Sequence, residues 1–206
     1  MKLSDYVINF LAEHGVTHAF GISGGAAVHL FDSVARHTKM EYICSQHEQS
    51  AAMSADGYSR STGRMGVAIT TSGPGATNLL TGVCCSYYDS VPTLMLTGQV
   101  ATHRLKGDRP VRQVGFQETD VISIYSTVTK YTVQIRDPNL IRHELEKAWH
   151  LAHEGRPGPV LIDIPDDLQR ANVEHAAMRS FSPSPTAPAT SLERSIDELL
   201  GLFQAA

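Results

Sequence analysis

Met65-Gly66-Val67-Ala68-Ile69-Thr70-Thr71-Ser72-Gly73-Pro74-Gly75-Ala76-Thr77-Asn78 is the stretch that decides the fold. Its first half is a β-branched run too short for a helix and apolar enough to be buried on both faces, as strands of a parallel sheet are. Gly73-Pro74-Gly75 ends the run and opens a helix predicted over Ala76 to Tyr88. Pro92 to Thr97 and Pro159 to Ile164 are further short apolar runs of the same kind. Upstream, Val7, Phe10 and Leu11 repeat at helical spacing, with Ser4 or Asp5 as the cap and Gly15 as the stop. A strand over Val16 to Gly21 breaks at Ser23-Gly24-Gly25; a helix marked by Val28, Leu30, Phe31 and Val34 follows, then a strand over Tyr42 to Cys44. Strand and helix alternate at short intervals. The expected fold is therefore α/β, a doubly wound, mainly parallel six-stranded sheet with helices on both faces.

Downstream, residues 100–116 are polar and carry His103, Arg104, Lys106, Arg109 and Arg112, which reads as a mobile loop. A short helix is expected over Phe116 to Ser123, a strand over Thr127 to Ile135, and a helix from Asp137-Pro138 to about His153, with Trp149 in a core position. Residues 1–170 make one domain on this reading. Residues 171–189 are a Pro/Ser-rich linker. Residues 190–206 form the first helix of a following domain, with Thr190 and Glu193 as a capping box ahead of the stripe Leu192, Ile196, Leu199, Leu200 and Phe203.

Composition narrows the function. Charged residues make up 18% of the 206 and hydrophobic ones 42%, and so lightly charged a chain suits a surface partly covered by a partner. The net charge of −4 supplies no basic field for nucleic acid or acidic membranes. Cys44, Cys84 and Cys85 show no metal-ligand spacing, and the adjacent pair does not bridge easily. The start lacks the apolar core of a signal peptide, and nothing approaches the roughly 18 apolar residues of a membrane span. A soluble, cytoplasmic protein in a reducing compartment is expected.

A second stretch carries the chemistry. Cys44-Ser45-Gln46-His47-Glu48 leads from a strand into a helix whose first turn bears a glutamate, where unpaired N–H groups and the helix dipole favour a carboxylate. Ala51, Ala52 and Ala55 leave one side of this helix nearly bare, so that another backbone or a flat ligand can approach. On residues alone, an ordinary first turn packed on a sheet explains the same pattern. Gly73-Pro74-Gly75 stands where α/β folds bind phosphate, but the third glycine of the dinucleotide fingerprint and a Walker sequence are both missing, and a turn with a cap accounts for it. His47 either tunes a proton or makes a satisfied polar contact.

Taken with Gly24-Gly25-Ala26, Asp89-Ser90-Val91-Pro92, Thr97-Gly98-Gln99, Gly115-Phe116-Gln117-Glu118-Thr119-Asp120, Gly155-Arg156-Pro157-Gly158-Pro159 and Asp163-Ile164-Pro165, these stretches agree in order and spacing. From Leu3 to Asp167 the chain resembles the N-terminal, pyrimidine-binding domain of thiamine-diphosphate enzymes of the acetohydroxyacid (acetolactate) synthase group. The resemblance implies that Glu48 hydrogen-bonds the ring nitrogen of the aminopyrimidine and shares its proton, making the amino group basic enough to deprotonate C2 of the thiazolium. It also implies that Gly24, Gly25, Gly73, Gly75, Thr77 and Asn78 line the pyrimidine half of the cofactor, and that Phe116 and Gln117 lie near the substrate.

Mg²⁺ and the diphosphate are implied to be held by a C-terminal domain carrying Gly-Asp-Gly and a later Asn, for which Gly107-Asp108-Arg109 is the nearest string here; no metal ligand is assigned to this chain. That domain is expected in the same polypeptide or a separate subunit, and this chain alone is expected to be inactive. A homodimer or tetramer through the helix starting at Glu48 is implied as well, and FAD by analogy only. Two departures, Ile22-Ser23 in place of Tyr-Pro and the longer, more basic loop from Ala101 to Gly115, fall near the pocket. The product therefore stays open between acetolactate-type carboligation and simple decarboxylation of a 2-keto acid or acyl-CoA, with a non-catalytic dimerising module as the alternative from another class.

Overall fold

The computed structural model describes residues 1–183 and 192–205. Strands β1 (His18–Gly21), β2 (Glu41–Cys44), β3 (Gly66–Thr70), β4 (Thr93–Gln99), β5 (Tyr131–Gln134) and β6 (Val160–Pro165) form one parallel sheet in the order β2-β1-β3-β4-β6-β5. Every residue of β3, β4 and β6 is buried, as continuous apolar runs require of central parallel strands. Edge strand β2 is mostly exposed. Around the sheet lie helices α1 (Leu3–Glu13), α2 (Val28–Arg36), α3 (Glu48–Thr62), α4 (Pro74–Asn78), α5 (Leu80–Tyr88), α6 (Val121–Tyr125), α7 (Ile141–His153) and the single turn α8 (Asp166–Gln169), with α9 (Leu192–Ala205) near the C-terminus. None of these is long and apolar enough to cross a membrane.

Side-chain alternation along the strands assigns the two core layers. Val67, Ile69, Leu94, Leu96, Val160 and Ile162 join Leu3, Leu11, Leu30 and Leu145 from α1, α2 and α7. Ala68, Met95 and Leu161 join Ala51, Ala52, Ala55, Leu79, Val83 and Tyr125 on the opposite face. The bare face of α3 does admit other backbones, and they are the chain's own. A Cβ on Gly82 of α5 would stand 2.5 Å from Ala52 Cβ, and one on Gly66 of β3 only 1.9 Å from the Ala55 carbonyl oxygen. Buried Asp56 ties the same helices, accepting from Ser86 Oγ at 2.8 Å and from Arg60 Nε at 2.5 Å.

Several local expectations shift for identifiable reasons. Lys2, not Ser4 or Asp5, is the N-cap of α1, and it caps without a side-chain hydrogen bond; the Ser4 hydroxyl instead accepts from Ser33 Oγ inside the core. The helix expected from Phe116 begins only at Val121, because Gln117 adopts φ +61° and Asp120 takes the cap by accepting from the Ser123 N–H. Strand β5 spans Tyr131–Gln134 only, and Asp137 starts a 3₁₀ turn, Pro138–Leu140, ahead of α7. Val173 and Met178 are buried in the core and Lys2 bridges to Asn172, so the packed body runs past residue 170. Of the expected linker only residues 171–183 are described, and the predicted cap Thr190 lies outside the described residues. Leu192, Ile196, Leu199, Leu200 and Phe203 of α9 are all exposed.

Candidate functional site

All the predicted site residues stand on segments that leave the carboxyl ends of the strands. The chain passes from β1 outward to β2 and returns to β3 on the other side of β1. That boundary is a topological switch point, where the connections diverge and open α/β sheets form their ligand crevice.

Glu48 is the first residue of α3 and is half-buried. Before it, the ring nitrogen Nδ1 of His47 accepts from the Gln49 N–H at 3.1 Å, so His47 serves as the helix cap. Asn78 Nδ2, from the end of α4, donates to Glu48 Oε2 at 2.9 Å. Among the described residues Glu48 Oε1 accepts no hydrogen bond, and it lies 3.6 Å from where a Cβ on Gly75 would stand. One carboxylate oxygen is thus fixed by Asn78 and the other faces the Gly75 turn.

Thr71, just beyond β3, joins the glycine turns. A Cβ on Gly24 would lie 2.5 Å from Thr71 Cβ and one on Gly75 would lie 2.7 Å from Thr71 Cγ2, while the Ala26 N–H donates to Thr71 Oγ1 at 3.2 Å. Gly73 adopts φ +60° and ψ −122°, and its missing side chain leaves room for Gln117, whose Cβ and carbonyl oxygen would each be 2.8 Å from an added Cβ. Gly25 has open space in front of it and borders, with Phe116, a cleft of about 340 Å³. Phe116 is 81% exposed. The structure therefore gathers Glu48, Gly75, Asn78 and, through Thr71, Gly24; it sets Gln117 on Gly73 and places Gly25 with Phe116. Thr77 stands apart, its hydroxyl donating to the Pro74 carbonyl within α4 at 3.3 Å.

Two residues of this region received no role from the sequence. Thr71 is one; the Gly24 and Gly75 turns meet on it only in the folded chain, so no local signal singles it out. The other is Gln99, the last residue of β4. Its Nε2 donates to Asp163 Oδ2 at 3.1 Å and to the Thr119 carbonyl at 3.0 Å. Asp163 is fully buried and also accepts from Thr97 Oγ1 at 2.7 Å and Gln134 Nε2 at 2.9 Å. Burial pushes its carboxyl up to about 6, opposed by those donors.

The basic loop is tied at both ends. Asp167 accepts from the Thr102 N–H and hydroxyl, and Glu118 accepts from the N–H groups of Lys106 and Val114 at 2.6 and 2.8 Å. For Asp167, burial acts upward but the bonds from Thr102 outweigh it and hold the carboxyl below its ordinary value. Arg104 of the loop and Arg170 border the same cleft as Phe116, as does Asp166, whose carboxylate lies 3.6 Å from His29 Nε2 and 4.0 Å from Arg170 Nη2.

Comparison with known proteins identifies the family. The family model described as "Thiamine pyrophosphate enzyme, N-terminal TPP binding domain" matches residues 1–124. An acetolactate synthase of Arthrospira platensis is 44% identical over 172 residues, covering 82% of this chain and 29% of that protein. The acetolactate synthase large subunit of Haemophilus influenzae is 36% identical over 208 residues, covering 97% and 35%. The isozyme 3 large subunit of Escherichia coli is 37% identical over 204 residues, covering 96% and 34%. The chain thus spans about a third of the length of these curated relatives. A half-buried glutamate at a helix start, one oxygen held by an amide and the other facing a glycine turn, is found in a chain that belongs to the thiamine pyrophosphate enzyme family, as its N-terminal TPP-binding domain.

Proposed function

We propose that this chain is the cofactor-activating part of an acetolactate-synthase-like enzyme that decarboxylates a 2-keto acid, pyruvate in the first instance, and joins the remaining fragment to a carbonyl acceptor. The names of the relatives favour carboligation over simple decarboxylation. The observation that carries the reading is that Asn78 anchors Oε2 of Glu48 while Oε1 faces the side-chain-free turn at Gly75.

That donor set fits the aminopyrimidine of thiamine diphosphate. A carboxylate whose one oxygen is fixed and whose other faces a side-chain-free turn can pass a proton to and from a flat nitrogen heterocycle. Bound there, the cofactor supplies a nucleophilic carbon for the keto acid's carbonyl. Glu48 holds or releases the proton at Oε1, and Asn78 keeps the carboxylate in one orientation. Thr71 and the glycines around it would hold the ring on one side. The cleft between Gly25 and Phe116 receives the 2-keto acid, and Arg104 and Arg170 suit its carboxylate. Diphosphate and Mg²⁺ are assigned to a further domain or subunit, consistent with the third of its relatives' length that this chain spans. A homodimer or tetramer would use the outer face of α3, where Met53 is exposed and Gly57 meets open space. The free thiols of Cys44, Cys84 and Cys85 suit a reducing, cytoplasmic setting.

Glu48→Gln keeps the shape and removes the acid function. In the complete enzyme, exchange of the cofactor's C2 proton, followed by NMR, should slow by about 10²–10⁴-fold while cofactor binding is partly retained. Exchange at the wild-type rate would remove Glu48 from this role.

A further inference from the structure

Phe116 and Gln117 stand on an irregular segment, yet Gln117 is seated closely on Gly73 in a left-handed conformation. Something must hold that segment. On the loop side the Glu118 N–H donates to the Gly115 carbonyl at 3.1 Å, the Val121 N–H donates to the Thr119 carbonyl at 2.9 Å, and the Glu118 carboxylate accepts from the N–H groups of Lys106 and Val114. The tether on the other side comes from inside the sheet, where Gln99 Nε2 reaches the same Thr119 carbonyl at 3.0 Å.

Gln99 does not hold its own orientation unaided. Its Oε1 accepts from the Val100 N–H at 3.0 Å, and its Nε2 is shared with Asp163 Oδ2 at 3.1 Å. Asp163 lies in β6 between β4 and β5 and is itself pinned by Thr97 from β4 and Gln134 from β5. A fully buried carboxylate in a sheet centre is costly unless its acceptors are used. Here the donors use both oxygens, and one donor also reaches the loop. Thr97 donates to the carboxylate and makes no hydrogen bond to the segment. Beyond Gln99 and Gln134 opens a cleft of about 540 Å³ bearing Lys106, Arg112, Arg136, Asp108, Glu118 and Asp120; none of these is bonded to Asp163.

We infer that Asp163 is a positioning residue which, acting through Gln99 and the Thr119 carbonyl, sets the pose of the Phe116–Thr119 segment against Gly73. The inference rests on the proposed function only for its consequence in turnover, since the tether is defined by the hydrogen bonds themselves. What Asp163 supplies is an acceptor at Oδ2 in a fixed place. Asparagine can supply the same acceptor, turning its amide oxygen toward Gln99 and Gln134 and its NH₂ toward the Thr97 hydroxyl, which can accept.

Amide hydrogen exchange on the 206-residue chain, read at Val114, Glu118 and Val121, tests this. Gln99→Leu and Asp163→Leu should each speed exchange at these amides at least tenfold relative to the β3 and β4 amides. Asp163→Asn should restore protection to within about threefold, and Thr97→Val should leave the segment as in the wild type. A merely structural role would instead raise exchange across the sheet in every variant. Should Asp163→Leu not fold, Gln99→Leu still decides: protection retained in that variant, or equal loosening in Asp163→Asn and Asp163→Leu, would overturn the inference. In the complete enzyme Asp163→Leu should raise KM for the 2-keto acid with kcat less affected. Loosened amides with an unchanged KM would uphold the tether and refute the substrate-side placing of Phe116 and Gln117.

Discussion

Asn78 Nδ2 donates to Glu48 Oε2 at 2.9 Å, across 30 residues of sequence and between the end of one helix and the start of another. This single bond decides which carboxylate oxygen is free. Asn78→Ala releases Glu48 to rotate and should lower turnover of the complete enzyme about tenfold, the equivalent of one hydrogen bond to a charged group of about 1.5 kcal/mol. Asn78→Asp should do worse, because it sets a second carboxylate at hydrogen-bonding distance from the first. Steady-state rates for the two variants check the order; Asn78→Asp as active as Asn78→Ala would contradict it.

Gly73 occupies a backbone conformation that L-residues rarely adopt, and its missing side chain is where Gln117 sits. Gly73→Ala should destabilise the chain by about 1–3 kcal/mol from backbone strain and push Gln117 off the turn. Urea unfolding gives the first effect. The second would appear as a raised KM for the keto acid in the complete enzyme.

Gly82 and Ala52 set the separation of α5 and α3, with 2.5 Å between Ala52 Cβ and an added Cβ. Replacing a helical glycine by alanine on an exposed face gains about 1 kcal/mol. Here overpacking of about 1–3 kcal/mol opposes it, and because backbone as well as the Ala52 methyl is close, Gly82→Ala should destabilise on balance. A higher denaturation midpoint for this variant would show that the helices can part freely.

Asp163 gives the chain a pH signature. Burial raises its carboxyl to about 6 in the folded protein, against about 3.9 in an unfolded chain. Between those values the native state binds a proton that the unfolded chain has released, so this group's contribution to stability falls as pH rises through the window. Asp163→Asn removes the titration. Relative to that variant, the wild type should lose up to about 3 kcal/mol between about pH 4 and about pH 6. Asp120 and Asp167, whose carboxyls are held low, act in the opposite sense, but they are common to both proteins and cancel in the comparison. Parallel unfolding curves across the range would show that Asp163 does not titrate there.

What was legible in the sequence is what neighbouring residues decide. The apolar run Gly66–Thr70 announces a doubly buried parallel strand because both its faces are apolar, and Glu48 announces a helix start because the first turn favours a carboxylate. The Gly73 turn is likewise local, since its positive φ needs glycine. Beyond that reach, the sequence left open what approaches Ala51, Ala52 and Ala55, and Gly66 and Gly82 of the same chain lie against them; the Thr77 hydroxyl, grouped with Asn78 from sequence, turns back on Pro74. Sequence reading gave no role to Thr71, on which the Gly24 and Gly75 turns meet, or to Gln99, which bonds both Asp163 and Thr119 from different parts of the chain. The bond between Thr97 and Asp163 spans 66 residues. It exists because β4 and β6 are neighbours in the sheet while β5 lies outside them, and strand order follows from how two core layers pack over the whole domain, which no short window of residues encodes.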